Sequence, residues 1–157
     1  MSDSKKENVH GVRITIDSVL EDTVLVGAAV HSICTRRYHL EGTEASRVEV
    51  AVVEAVNNAV EHAYGSKPGN QVVVDIELGE TSVVFRVQDR GQSIPSDKFR
   101  PREEPLFDPD DYSTLPERGM GLFIMRQVMD EISYQSTDEG NELRLEKDFS
   151  VDTAEES

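Results

Sequence analysis

Glu54, Asn58 and His62 recur at i, i+4 and i+8 within VEVAVVEAVNNAVEHAY, residues 48–64. Steps of four drift by only about 40° at 3.6 residues per turn, so the three side chains share one face of a helix. Val52, Val56, Ala59, Val60 and Ala63 form an apolar stripe on roughly the opposite side. Asn is a poor helix-interior residue because its amide competes for backbone hydrogen bonds. Yet Asn57 and Asn58 both sit mid-helix. One account is a solvated surface face. The other is a ligand face, in which a carboxylate takes a proton and an amide oxygen one turn away sits on a hard cation such as Mg2+.

Two later groups bear on that choice. Asp89 closes an apolar strand and is followed by Arg90-Gly91. Alone this is a strand-ending turn. A carboxylate fixed there can also accept from an exocyclic amine such as adenine's, and Gly91 lets backbone approach the ring with no Cβ in the way. Gly119-Met120-Gly121 precedes an apolar helical run. Glycines before helices are common, but a pair at a helix N-terminus leaves N–H groups and the positive dipole end free for phosphate. Arg118 either adds charge to a phosphate oxygen or is an exposed loop residue.

In order, the parts are an acid and amide helix face, a strand-end Asp-x-Gly, a long loop and a Gly-x-Gly opening a helix. Together they read as one nucleotide pocket, with adenine at Asp89, Mg2+ at Asn58 and triphosphate at residues 119–121. Neither a Walker A sequence nor a glycine-rich loop with a following strand lysine is present, so ATP would bind by another scheme.

The elements that must position these residues follow from periodicity. Val12, Ile14 and Ile16 alternate with polar residues as a strand, and Asp17 or Ser18 can cap the helix 19–38 that follows. The central helix begins at Thr43 or Glu44 and runs to about Tyr64. Strands 72–78 and 82–88 are joined by a short turn at Gly79-Glu80 into an antiparallel hairpin. Residues 90–118 hold five of the six prolines, which excludes an ordinary helix or central strand and suggests a lid. A helix from Gly119 and strands 132–135 and 142–149 complete the chain. The expected fold is α+β: a two-layer sandwich of one mixed, mostly antiparallel sheet with three main helices on one face and a nucleotide lid. Residues 1–8 and the tail 150–157 are expected to be loose, leaving one domain over 9–149.

EAVNNAVEHAY resembles the N box of the GHKL, or Bergerat-fold, ATPases. VQDRGQSIP resembles their first glycine box, and RGMGLFIMRQVMDEISY their second. Within that superfamily the short chain resembles the anti-sigma factor serine kinases of the RsbW type over residues 10–149. The resemblance implies that Glu54 is the base toward an acceptor serine and that Asn58 binds Mg2+. It implies that Asp89, with Gly91 beside it, binds adenine. The wider nucleotide site then takes in His62, Ser93, Arg118, Gly119, Met120, Gly121 and Leu122. It also implies a homodimer that phosphorylates a small STAS-domain anti-anti-sigma protein on serine or threonine and sequesters a sigma factor. The alternative is a non-catalytic ATP-binding regulator that sequesters a partner, but a pure binder has no need of Glu54. Two departures stand out. Ser93 replaces the last glycine of Asp-x-Gly-x-Gly, and Gly140-Asn141 stands where Gly-Thr often introduces the late strand. Histidine kinases share the pocket but carry a phosphoacceptor histidine on a separate helical domain, for which 157 residues leave no room.

Composition narrows the partners. The chain carries 31 acidic and 16 basic residues, a net charge of −15, which opposes binding to nucleic acid or to an anionic membrane. The single cysteine, Cys34, permits no internal disulfide. The N-terminus has no apolar signal segment, so a cytoplasmic location is expected.

Overall fold

Alternating apolar residues build five strands in the computed structural model, which describes residues 10–95 and 120–150. They are β1 (His10–Asp17), β2 (Gln71–Leu78), β3 (Ser82–Asp89), β4 (Glu131–Thr137) and β5 (Gly140–Asp148). The order is β1-β2-β3-β5-β4, and the expected mostly antiparallel sheet is antiparallel in all four pairings. Because β5 lies between β3 and β4, Asp89, Asn141 and Ser136 fall in one cross-strand row.

One face of the sheet is apolar. Ile14, Val74, Val87, Leu143 and Tyr134 form one cross-strand row, and Ile76, Phe85, Leu145 and Ile132 the next. Helices α1 (Leu20–Arg36), α2 (Gly42–Asn58) and α3 (Met120–Val128) pack on that face into one core, with α2 in contact with both α1 and α3. Phe85, Ile76, Met125 and Leu145 are the largest fully buried side chains, and each contributes about 1.5–3 kcal/mol. The expected stripe of α2 is the buried one: Val52, Val56, Ala59 and Val60 are all inside. A Cβ on Gly27 of α1 would lie 2.9 Å from Val53 Cγ2, so glycine sets the close approach of α1 to α2. The other face of the sheet carries ion pairs such as Arg13–Asp75 at 2.6 Å and Arg86–Glu77 at 2.9 Å. Solvated pairs of this kind are worth about 0–1 kcal/mol each.

Two local expectations change. Neither Asp17 nor Ser18 caps α1, whose N-cap position is Val19 with no side-chain cap bond. Asp17 Oδ1 instead accepts from Gly69 N–H at 2.8 Å, and Ser18 Oγ donates to the Lys67 carbonyl and accepts from Asn70 N–H. The strand–helix junction is thus tied to a distant loop rather than to its own helix. The second change lies in the central helix. It is α-helical only to Asn58, and Ala59–Ala63 form a π-helical turn.

The expected loose N-terminus 1–8, the body of the expected lid, 96–118, and the expected loose tail 150–157 beyond Ser150 lie outside the described residues; Ser150 itself donates its N–H and Oγ to Asp148 Oδ1. Cys34 is fully buried, and burial pushes its thiol up to about 11. Among the described residues no helix is long and apolar enough to cross a membrane.

Candidate functional site

Glu54 and Asn58 stand on the side of α2 that meets the start of α3. A Cβ on Gly121 would lie 3.0 Å from Glu54 Oε2 and 3.3 Å from Asn58 Nδ2. The second glycine box therefore rests against the N-box face, as one site requires. Burial raises the Glu54 carboxyl above the usual range, and the charge of Glu61 adds to the shift. A half-buried carboxylate pushed upward in this way suits a general base. Among the described residues no three His, Cys, Asp or Glu side chains converge on a metal position. A cation here would have one amide oxygen, that of Asn58, and would share phosphate oxygens and water. That donor set fits Mg2+, which keeps waters and takes few protein ligands.

The π turn follows Asn58 directly. The Ala59 N–H points to the carbonyls of both Ala55 and Val56, still in the α-helical register from which the π turn departs. Such turns concentrate at functional sites. Carbonyls at a helix end lack intrahelical partners, and the Ala63 carbonyl accepts from Gln92 N–H at 2.8 Å. Gly91 passes so close that a Cβ on it would overlap the Ala63 carbonyl.

Asp89 is the hub of this junction. Its Oδ1 accepts from Gly91 N–H at 3.0 Å and from Asn141 Nδ2 at 2.7 Å. Asn141 Nδ2 also donates to the Gly91 carbonyl at 3.0 Å, and its Oδ1 accepts from Ser136 Oγ at 2.7 Å. Burial raises the Asp89 carboxyl, and these hydrogen bonds partly oppose the rise. Two tyrosines pin the chain beyond it. Arg90 N–H donates to the Tyr64 hydroxyl at 2.7 Å and Ile94 N–H to the Tyr134 hydroxyl at 2.9 Å. The segment leaving β3 is therefore anchored at residues 90, 91, 92 and 94 before it enters the proline-rich stretch.

Between these walls lies a slot lined by Ala55, Asn58, Ala59, Ala63, Val87, Asp89, Gln92, Ile94, Tyr134 and Leu143. Its walls are mostly apolar, with Asp89, Asn58 and Gln92 as the charged and polar members. Its volume is about 10 Å3, far less than a nucleobase fills. A wider, open hollow of about 1230 Å3 also touches Asp89 and Asn141. Only the slot joins Asp89 to Asn58, and Glu54 and Gly121 line neither space.

The structure brings Glu54, Asn58 and Gly121 together, puts Asp89 on the same slot as Asn58, and sets Gly91 against Ala63. Ser93 is exposed within the pinned segment, between Gln92 and Ile94, and Leu122 packs against the core. His62 is exposed and does not line the slot, where Ala59 and Ala63 are the π-turn residues. The π turn breaks the i+4 spacing that placed His62 beneath Asn58. Met120 is the first residue of α3; Arg118 and Gly119 lie outside the described residues. Tyr64 and Tyr134 end the N-box and second glycine-box stretches without a role assigned there, and they and Ser136 emerge as site residues only from the fold. Asn57 Oδ1 is buried and has no hydrogen-bond partner among the described residues, and nothing in the site accounts for it.

The family model for the histidine kinase-like ATPase domain matches residues 16–147, and the chain belongs to that family. Within it, the chain falls in the branch that holds the serine-protein kinases RsbW and the anti-sigma F factors. It is 30% identical to a serine-protein kinase RsbW of Halalkalibacterium halodurans over 87% of this chain and 82% of that protein. It is 33% identical to an anti-sigma F factor of Bacillus licheniformis over 71% of this chain and 74% of that protein. A serine-protein kinase RsbW of Oceanobacillus iheyensis is 31% identical, and there the match spans 54% of each chain, about half of that relative. Among solved structures, the RsbU and RsbW domains of a Mycobacterium tuberculosis protein match with a TM-score of 0.60. That likeness, at 20% identity, covers 88% of this chain and 32% of the other and bears out the fold.

Proposed function

We propose that this protein is a Mg-ATP-dependent serine/threonine protein kinase and anti-sigma factor. It phosphorylates a STAS-domain anti-anti-sigma protein and sequesters a sigma factor, acting as a homodimer in the cytoplasm. The observation that carries this reading is the packing of Gly121 against Glu54 and Asn58. It brings a carboxylate oxygen, the side-chain amide of Asn58 and the start of a helix close to one point, which supports a γ-phosphate position there. The names of the RsbW and anti-sigma F relatives support the substrate and the partners.

This reading gives each residue a role. Asp89 accepts from the base amine, and Val87, Leu143 and Tyr134 hold its faces. The N–H groups at the start of α3 receive phosphate. Asn58 would hold Mg2+, which when bound would supply neutralisation of phosphate charge. Glu54 takes the proton of the acceptor hydroxyl as its oxygen bonds to the γ-phosphorus and the bond to the β-phosphate oxygen breaks, releasing ADP. Phosphoryl transfer depends mainly on positioning and electrostatics, and this site supplies both.

The test combines the purified protein, Mg-ATP and a candidate STAS partner, with the mass of that partner as readout. A gain of one phosphoryl group on a serine or threonine is expected. A partner that binds stably yet never gains phosphate would make this protein a binding module instead.

A further inference from the structure

Asp89 presents two oxygens, and they are not equivalent. Oδ1 already accepts two hydrogen bonds, from Gly91 N–H at 3.0 Å and Asn141 Nδ2 at 2.7 Å. A carboxylate oxygen offers about two lone-pair sites, so Oδ1 is saturated. Among the described residues no hydrogen bond is made to Oδ2. Asp89 therefore meets a ligand with one acceptor, not two.

The orientation of Asn141 is fixed. Its Oδ1 accepts from Ser136 Oγ at 2.7 Å, which leaves Nδ2 as the atom facing Asp89. The second Nδ2 hydrogen goes to the Gly91 carbonyl at 3.0 Å. Asn141 is 5% exposed and lies in register between Asp89 and Ser136 on three neighbouring strands. All three of its amide bonds are engaged, so an incoming base does not displace it.

The two purines differ at this point. Adenine offers one exocyclic amine beside an unprotonated ring nitrogen. Guanine offers a ring N–H and an amine N–H side by side, a pair that a carboxylate with two open oxygens binds in bidentate fashion. We propose that Asn141, by occupying Oδ1 of Asp89, sets the nucleobase selectivity of the site: it leaves one acceptor, enough for adenine, and denies guanine its second bond. Asn141 acts through Asp89 and is a positioning residue. The inference rests on the nucleotide-site reading above and goes beyond it by assigning selectivity to a residue outside the three motif segments.

The test is calorimetric titration of wild type, Asn141→Ala and Ser136→Ala with non-hydrolysable analogues of ATP and of GTP, in Mg2+. Wild type is expected to prefer the ATP analogue. In Asn141→Ala the ratio of ATP to GTP affinity falls about tenfold or more, the size of one lost bidentate discrimination. Ser136→Ala alters an exposed side chain, leaves the fold intact and frees the Asn141 amide to turn, so its ratio falls in the same direction by a smaller factor. If both analogues weaken by one common factor in both variants, Asn141 merely supports the fold and the inference is overturned. A wild type that binds both analogues equally well would overturn it too, while leaving the nucleotide site in place. A wild type that binds neither overturns the nucleotide-site reading, and this one with it.

Discussion

Gly121 and Glu54 meet with no side chain between them: a Cβ on the glycine would lie 3.0 Å from Glu54 Oε2. The start of α3 thus touches the acid of α2 through bare backbone. Replacing Gly121 by alanine should separate stability from binding. The obstructing atoms are the far ends of two flexible side chains, Glu54 and Asn58, and these can swing aside. Alanine also favours helix by about 1 kcal/mol over glycine. Gly121→Ala is therefore expected to melt at or above the wild-type temperature and to bind Mg-ATP about tenfold more weakly. Melting curves and calorimetry check this. A variant that binds ATP as wild type does would remove Gly121 from the phosphate site.

Gly91 should behave in the opposite way. Its absent Cβ would overlap the carbonyl of Ala63, and that atom is backbone in a hydrogen-bonded π turn. Nothing there can swing aside. The same residue gives its N–H to Asp89 and its carbonyl to Asn141. Gly91→Ala is expected to lose about 1–3 kcal/mol, as overpacked sites do. For a chain of this size that lowers Tm by roughly 2–12 °C. Nucleotide binding should fall as well, because Asp89 and the slot wall at Gln92 and Ile94 shift together. An unchanged Tm would mean that the junction yields more easily than its hydrogen bonds imply.

The contrast between these two glycines shows what was readable in the sequence. Both stood out there because their motifs are local: Asp-x-Gly after a strand and Gly-x-Gly before a helix. The strands were readable because alternation at period two directly reports one buried face, and α2 because its stripe and its Glu54–Asn58 face share one period. The π turn was not readable, because a single hydrogen-bond shift leaves no trace in composition. It removed His62 from a face that ideal helical spacing had assigned to it. The ties of Asp17 to Gly69 and of Asn141 to Asp89 each span 52 residues, and only the strand order brings such pairs together. For the same reason the sequence marked Asn141 only as a departure where Gly-Thr often introduces the late strand, whereas in the fold it faces the carboxylate of Asp89.

Glu54 gives the sharpest test of catalysis. Glutamine keeps its size and hydrogen bonding but cannot take a proton. Removing a general base costs about 10²–10⁴ in rate, so Glu54→Gln is expected to phosphorylate the partner at least about a hundredfold more slowly. Its affinity for ATP should stay within about twofold. The pH dependence adds a second readout. Burial first, then the charge of Glu61, raises the Glu54 pKa above the ordinary glutamate value of about 4.3. Only the carboxylate form accepts the proton, so the wild-type rate should fall as pH drops through that raised pKa, and the variant should lack this acid limb. Stability moves with the opposite sign. An acid whose folded pKa lies above its unfolded pKa costs stability when ionised in both states, and that cost disappears as pH falls from the folded value to the unfolded one. Glu54→Gln should therefore be more stable than wild type at neutral pH, with the difference closing as pH falls through the raised pKa. Paired rate profiles and melting curves between about pH 4 and 8 measure both limbs. Wild-type turnover by Glu54→Gln across that range would reduce Glu54 to a solvated helix residue and leave the phosphoryl acceptor without its base.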